Sequence, residues 1–327
     1  MIVLSISQQG TIYATINNQR GSAMRLILLI IYLLILFLAF NQFDNYLFDL
    51  VAALRGLLIV CSFLPAFFLL WWSKKLSISL IVLSISLVLF HFKSYSSAEE
   101  IQNTDIKVAQ VNLQYSNPNL ANIITSKFIN AQNDILVLFE FNDTQRHVLD
   151  ELNTKYHLFG YAEVEGAPFG IIVISKIPIV QRQIKRFDNP KLGYVKLSFL
   201  HNNVMLNSVF LHPPSPRTQS LWSQRNLVLR EVAKEIKKLK GNWLVAGDFN
   251  TVPWSRYFIN NKSSCFKRAG FYTSWSLKNQ LSDLKVLGLP IDHCLLSEDV
   301  SLSNVGVNSV NGSDHKLLHY ELTFSTH

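Results

Sequence analysis

Two short strings near the C-terminal end carry carboxylate, amide and imidazole groups at spacings that suit chemistry at a phosphate. They are Gly247-Asp248-Phe249-Asn250 and Gly312-Ser313-Asp314-His315, and Ile291-Asp292-His293 lies between them. Carboxylate and amide oxygens are the hard ligands that Mg²⁺ or Mn²⁺ prefers. A histidine backed by a carboxylate can transfer a proton or stabilise a charged oxygen. Three such strings in this order predict one site that joins a metal to a phosphate ester.

Three upstream residues extend the same pattern. Asn112 closes an alternating run, Glu140 closes the apolar run 134–140, and His212 follows another strand-like run and precedes Pro213-Pro214. A catalytic site in the cleft above a β-sandwich would need polar groups of this kind at the ends of apolar strands.

Each of these residues also has a simpler interpretation. Asp248 and Asn250 both favour turns and could shape a strand-to-loop connection. His212 could be a surface loop histidine. Arg225 lies in a helical stretch and could reach a phosphate, but we expect it on the helix surface. His293 is expected to neighbour the site rather than take part in it.

Strand and helix patterns alternate between residues 105 and 327, so the elements themselves predict an α/β fold. The predicted strands are 106–113, 134–140, 156–162, 170–175, 195–200, 204–211, 243–246, 291–296 and 317–324. An apolar stripe from Leu221 to Leu239 predicts a long helix. Many strands with helices between only some of them predict two packed sheets with helices outside.

The strings resemble the endonuclease/exonuclease/phosphatase superfamily over roughly residues 105–325. The resemblance rests on Asn112, Glu140, Gly247-Asp248-Phe249-Asn250, Ile291-Asp292-His293 and Ser313-Asp314-His315. It implies a four-layer α/β sandwich that hydrolyses phosphodiester bonds or phosphomonoesters with Mg²⁺ or Mn²⁺. Thr251-Val252-Pro253-Trp254-Ser255 and the apolar N-terminal region are most similar to bacterial membrane-anchored members.

The resemblance also implies a role for each site residue. The metal side consists of Glu140 as the principal Mg²⁺ ligand, Asn112 beside it, and Asp314 directly or through water.

On the catalytic side, the resemblance assigns the attacking water to Asp248, a phosphate oxygen to Asn250 and the scissile phosphate to His315. Asp292 would fix the tautomer of His315, and His212 would assist at the phosphate.

Three apolar stretches precede this region, at about Leu26–Phe43, Leu57–Trp72 and Leu76–Phe92. Each is near the lower length limit for crossing a bilayer. They predict a tail over 1–24, a three-span transmembrane anchor over 25–93, a linker over 94–104 and a catalytic domain over 105–327. Met24 is an alternative start to Met1.

The placement of basic residues predicts the orientation of the anchor. Arg20 and Arg25 precede the first stretch, and Lys74 and Lys75 lie between the second and third. By the positive-inside rule, the N-terminus is cytoplasmic and the catalytic domain lies outside the cytoplasm. We therefore expect a multi-pass protein of the bacterial inner membrane.

Charge and cysteine content narrow the function only slightly. The formal net charge of +8 is divided equally between residues 1–93 and 94–327, so it argues weakly for nucleic-acid binding. A bridge between Cys265 and Cys294 is possible, but two unrelated buried thiols are the favoured interpretation.

Two classes of function remain open from the sequence. The favoured class is a hydrolase of phosphate esters. Its leading substrate is a nucleic acid, and the alternative substrate is a phospholipid headgroup. The other is a non-catalytic envelope binding module that retains the fold.

Overall fold

The computed structural model describes residues 6–94, 104–160, 170–189, 191–276 and 284–325. The chain forms two compact units, Met1–Phe92 and Lys93–His327. Most of the predicted linker, residues 95–103, lies outside the described residues, as do residues 161 and 162 of one predicted strand.

The N-terminal unit is helical. Its helices are α1 (Ile6–Phe40), α2 (Tyr46–Ala53), α3 (Arg55–Cys61), α4 (Phe63–Phe68) and α5 (Lys74–His91). Within the described residues, two helices are long and apolar enough to cross a membrane, Gln19–Phe40 and Lys74–His91. The predicted second span lies in one arm of a helix pair that bends by 69° between Ala53 and Arg55. The candidate spans among the described residues thus number two, or three if the bent pair is one span.

Hydroxyl groups link the helices of this unit. The Tyr32 hydroxyl lies 3.1 Å from Ser84 Oγ, which lies 2.8 Å from Ser62 Oγ. Because a buried hydroxyl needs a hydrogen-bond partner, these contacts help to fix how the helices pack.

The C-terminal unit is an α/β fold. Its strands are β1 (Ile106–Asn112), β2 (Ile135–Phe139), β3 (His157–Phe159), β4 (Ile172–Ser175), β5 (Ile179–Arg186), β6 (Gly193–His201), β7 (Val204–Leu211), β8 (Trp243–Asp248), β9 (Ser263–Ser264), β10 (Trp275–Ser276), β11 (Gly288–Leu289), β12 (Asp292–Leu296), β13 (Val300–Ser309) and β14 (Lys316–Phe324). Its α-helices are α6 (Leu120–Ile124), α7 (Asp150–Asn153), α8 (Gln219–Ile236) and α9 (Cys265–Ala269).

Two mixed six-stranded sheets form the centre of this unit. Their strand orders are β13-β14-β1-β2-β4-β3 and β5-β6-β7-β8-β12-β9. One apolar core lies between the sheets, a second packs α6 against the first sheet, and a third packs α8 against the second sheet. The prediction of two packed sheets with helices outside is confirmed.

The topology brings the polar strand ends together. In each sheet two neighbouring strands are parallel, β1 with β2 and β7 with β8, so their carboxyl ends meet at one edge. Antiparallel neighbours begin at that same edge, β12 beside β8 and β14 beside β1. Six chain segments therefore enter or leave the sheets at one place.

The structure corrects two sequence expectations in this unit. Cys265 and Cys294 form a disulfide, with a Cα–Cα distance of 5.2 Å, rather than two separate thiols. The sequence of residues 144–153 also suits an α-helix, but the structure has a 3-10 helix over Asp143–Leu149 that continues into the short α7. Strands β5 and β13 were not predicted.

Candidate active site

The predicted site residues lie at the edge where the strand ends meet. Asn112 and Asp248 are the last residues of β1 and β8, and Glu140 and His212 directly follow β2 and β7. Asp292 opens β12 opposite Asp248 in register, and His315 directly precedes β14. Six side chains from separate segments of the sequence therefore lie in one cluster.

A close backbone approach explains the glycine before Asp248. Gly247 has a φ of +154°, and a Cβ at this position would overlap the carbonyl oxygen of Leu211 on β7. The parallel strands can therefore come together just below the site only with glycine here.

His315 is held between two buried carboxylates. Its Nδ1 lies 2.9 Å from Asp292 Oδ2, and its Nε2 lies 3.7 Å from Asp248 Oδ2. His315 is 7% exposed and both aspartates are 1% exposed. Ser274 Oγ accepts a hydrogen bond from the backbone N–H of Asp292, which fixes the start of β12.

The carboxylates set the charge of this histidine. Burial lowers the pKa of His315, but the charges of Asp292 and Asp248 outweigh it and raise the pKa to about 10. Burial alone would raise the pKa of Asp248, whereas His315 and His212 lower it below its ordinary value. At neutral pH the site therefore holds a protonated His315 beside an ionised Asp248.

A second group of side chains surrounds Asp248 from the other direction. Asn112 Nδ2 donates to Asp248 Oδ2 at 3.2 Å. His212 Nε2 lies 3.5 Å from the same oxygen and 3.6 Å from Glu140 Oε1. Burial lowers the pKa of His212, but Asp248 and Glu140 outweigh burial and raise it. Asp248 is thus the common neighbour of both histidines.

Asn250 is fixed in a tight turn after Asp248. Its φ is +50°, its backbone N–H donates to Asp248 Oδ1 at 2.9 Å, and its Nδ2 donates to the carbonyl of Pro213 at 2.9 Å. The turn interpretation of this residue is therefore confirmed, and the turn places the side-chain amide beside Asp248. Its role at a phosphate stays a prediction.

Arg225 was placed wrongly by the sequence. It is 2% exposed, its Nη1 donates to the backbone carbonyl of Asn250 at 3.0 Å, and its Nε and Nη2 donate to Asn226 Oδ1. The guanidinium of Arg225, on the buried side of α8, therefore supports the turn at Asn250 and does not face solvent.

Asp314 lies beside the cluster and has a specific partner. Its Oδ2 accepts a hydrogen bond from the indole Nε1 of Trp275 at 2.9 Å, and Gln114 Oε1 accepts from its backbone N–H. Trp275 also forms an isolated β-bridge with His315. No pattern in the sequence indicated this contact.

His293 is a structural neighbour, as expected. Burial lowers its pKa to about 4, and its Nε2 lies 2.9 Å from the carbonyl of Thr251. The hydroxyl of Tyr272 donates to the backbone carbonyl of Asp292 at 2.8 Å.

Gln110, buried within β1, donates to the carbonyls of Gly247 and His293 and so links the two sheets beneath the site.

The residues offer oxygen donors suited to a hard cation. The side chain of Glu140 is 20% exposed, so its carboxylate is accessible at the edge of the cluster. Together with an amide of Asn112 and the remaining oxygen of Asp314, it forms the donor chemistry that Mg²⁺ or Mn²⁺ accepts.

A different trio is closer in space but fits a metal poorly. Donor atoms of Asp248, Asp292 and His315 lie within 4.8 Å of one another. His315 Nδ1 lies 2.9 Å from Asp292 Oδ2, so this nitrogen is directed at a carboxylate rather than at an open ligand position. We interpret this trio as a hydrogen-bonded charge network.

Comparisons with known proteins agree with this architecture. The sequence profile of the Endonuclease/Exonuclease/phosphatase family matches residues 109–315. No curated protein sequence matches the chain.

Solved structures share the fold at low sequence identity. The crystal structure of D. rerio TDP2 complexed with single strand DNA product is 15% identical, with a TM-score of 0.54, over 67% of this chain and 98% of that chain. Truncated Caenorhabditis elegans TDP2 is 14% identical, with a TM-score of 0.52, over 66% and 96%. The endonuclease/exonuclease/phosphatase from Bacteroides vulgatus is 14% identical, with a TM-score of 0.53, over 68% and 100%.

At these identities the structures establish a common fold. The profile match covers more than half of the chain, from β1 to His315, and includes every strand end described above. The chain therefore belongs to the Endonuclease/Exonuclease/phosphatase family.

Proposed function

We propose that the protein is a metal-dependent phosphoesterase that hydrolyses phosphodiester bonds. The observation that carries the proposal is the His315 network, in which a buried imidazolium is aligned by Asp292 at 2.9 Å and faces Asp248. Family members are phosphoesterase hydrolases, and the site contains each residue type that such a reaction requires.

The charge states favour particular roles for the catalytic residues. His315, with a pKa of about 10, is a proton donor and charge stabiliser for phosphate oxygens rather than a base. Asp248 is ionised and can accept a hydrogen bond from the attacking water. Asn250 would hold a phosphate oxygen, and His212 would assist there.

Asp292 acts through His315. Its hydrogen bond to Nδ1 fixes which imidazole nitrogen faces the substrate, and its charge keeps the ring protonated. Asp292 is therefore a positioning residue.

Glu140, Asn112 and Asp314 would hold the Mg²⁺ or Mn²⁺. When bound, the cation would polarise a phosphoryl oxygen and offset the charge that develops in the transition state. The accessible carboxylate of Glu140 is the strongest support for this assignment.

We propose a nucleic-acid phosphodiester as the substrate and a phospholipid headgroup as the alternative. The D. rerio TDP2 structure contains single-stranded DNA, which makes such strands the first substrate to test. The full chain in lipid nanodiscs would be assayed on single-stranded DNA, plasmid DNA and phospholipid. Cleavage of DNA without release of headgroups supports a nuclease. Headgroup release without DNA cleavage would make the phospholipid headgroup the preferred substrate.

We further propose that the C-terminal unit lies outside the cytoplasm of a bacterial cell. The Cys265–Cys294 disulfide supports this placement, because structural disulfides persist in oxidising compartments. With a cytoplasmic N-terminus, this placement needs an odd number of crossings, so the bent helix pair would form the second of three spans. A C-terminal alkaline phosphatase fusion should be active in cells, and an inactive fusion beside an active C-terminal green fluorescent protein would reverse the orientation.

A binding module without activity is the alternative of another class. It gains no support from the site, since Asp292, His315 and Asp248 are all present and lie together. Specific phosphate-ester binding by the folded protein, with no turnover on any substrate, would favour it.

A further inference from the structure

The outer face of the second sheet is only partly covered by helix α8. Tyr194 and Leu211 pair across β6 and β7 and are buried beneath the helix. Further along the same two strands, Leu200 pairs with Met205, and each side chain is 37% exposed. Because side chains alternate along a strand, all four residues lie on one face. One half of this face is therefore packed and the other is open.

A groove of about 630 Å³ adjoins the open half of the face. The described residues that line it include four basic ones, Arg182, Lys196, Lys238 and Lys240, and no aspartate or glutamate. The neighbouring Glu235 lies 2.6 Å from Lys196 and 3.6 Å from Lys238. One carboxylate thus offsets two of these lysines, and the lining retains a strong positive excess.

Exposed apolar side chains lie directly beside these charges. Leu200 and Met205 flank the turn between β6 and β7, and the backbone N–H of Leu200 donates to Pro178 just before the edge strand β5. Val180, on that edge strand, is 45% exposed. We call Leu200, Met205 and the four basic residues of the groove the outer-face patch.

We propose that the outer-face patch docks onto the surface of an anionic lipid bilayer. An exposed hairpin tip with apolar side chains can enter the headgroup region, while neighbouring lysines meet lipid phosphates. The charge of the groove is complementary to such a surface. Among the described residues of the chain, two helices are long and apolar enough to cross a membrane, which favours a bilayer over other anionic partners.

This surface is separate from the candidate active site. Met205 and His212 are seven residues apart along β7 and its end, which corresponds to about 23 Å at roughly 3.3 Å per residue. The inference uses none of the catalytic residues and does not depend on the proposed reaction.

The test is hydrogen–deuterium exchange on the full chain, reconstituted as single copies in nanodiscs. One set of discs contains phosphatidylglycerol and the other only phosphatidylcholine. We expect the backbone amides of residues 198–206 to exchange more slowly in the anionic discs, and high salt to remove the difference because it screens the attraction.

Paired variants sharpen the test. Lys238→Glu with Lys240→Glu should weaken docking by more than about tenfold, since each basic residue near an anionic surface contributes on the order of fivefold. Leu200→Ser with Met205→Ser should reduce the protection through the apolar contribution. The matched control is Lys127→Glu with Lys155→Glu, which changes the same charge on the first-sheet side and should leave protection intact. Thermal unfolding of each variant reports that the fold is retained.

Several outcomes would overturn the proposal. Equal exchange in anionic and neutral discs would do so, as would equal loss of protection in the control pair. Protection that appears only with two copies per disc would assign the patch to self-association. Protection of residues 198–206 by a DNA oligonucleotide in neutral discs, with none from anionic lipid alone, would assign it to nucleic acid.

Discussion

The two sides of the candidate active site differ in how completely the protein itself organises them. On one side, His315 is buried and aligned by Asp292, and Tyr272 and Ser274 hold the backbone of Asp292. On the other side, Glu140 is partly exposed, and its shortest described contact within the cluster is 3.6 Å to His212. The proton-bearing side is preorganised, whereas the side assigned to the metal keeps an accessible carboxylate.

Because of this difference, we expect removal of a side chain to have different effects on the two sides of the site. A preorganised hydrogen-bond network loses its alignment when one member is removed, because no solvent molecule restores the geometry. Occupancy of an open metal site instead depends on the concentration of the metal ion. We therefore expect changes on the His315 side to lower kcat and changes on the Glu140 side to alter the metal requirement.

The largest expected effect is that of His315→Ala. It removes the proton donor between two carboxylates and should lower kcat on a phosphodiester by about 10²- to 10⁴-fold. Steady-state turnover of the full chain in nanodiscs measures it, with Lys155→Ala as a remote control. A variant that retained wild-type turnover would remove His315 from the mechanism.

Asp292→Asn should have a smaller effect of the same kind. The amide keeps the size of the side chain but removes the charge that holds the pKa of His315 near 10. We expect kcat to fall by about 10²-fold or more, with KM changed little. Histidine NMR signals should show that His315 titrates at lower pH in this variant. An unchanged His315 titration would show that Asp248 alone sets its charge.

Glu140→Gln should separate the two sides of the site. It removes one negative ligand while leaving the His315–Asp292 contact in place. The Mg²⁺ concentration for half-maximal activity should rise by about tenfold or more, whereas kcat at saturating Mg²⁺ should change less. If kcat fell at every Mg²⁺ concentration and the requirement stayed the same, the carboxylate would act in the chemistry and not at the metal.

The smallest expected effect on activity is that of removing the disulfide. Cys265 and Cys294 are 29 residues apart, and both are fully buried. Replacing both with alanine should lower the free energy of unfolding by about 3–4 kcal/mol. Turnover at low temperature should remain close to that of the wild type, because neither sulfur contacts the cluster. Thermal unfolding beside a turnover assay tests this, and unchanged stability would contradict the structural role of the bridge.

The sequence predicted the strands that carry the site because they are apolar runs ending in polar residues. Strand β2 is fully buried, and Glu140 follows it directly, so both the strand and the site residue are visible in one short segment. Strand β5 lacks that signal. It is an edge strand whose residues are mostly exposed, so its composition is that of a polar loop.

Tertiary partners explain the features that the sequence did not reveal. Arg225 is buried because the carbonyl of Asn250, 25 residues away, accepts its hydrogen bond. Trp275 reaches Asp314 across 39 residues. Cys265 and Cys294 come together because α9 follows β9, which pairs with β12. Each contact joins segments that are distant along the chain, so local sequence patterns do not predict it.

The most direct test of the central claim is hydrolysis of bis(p-nitrophenyl) phosphate by the full chain in nanodiscs. Wild type and His315→Ala would be compared with Mg²⁺, with Mn²⁺ and with EDTA. The account predicts turnover that requires the metal, disappears in EDTA and falls by about 10²-fold or more in His315→Ala. Turnover that persists in EDTA, or is equal in the two proteins, would contradict it.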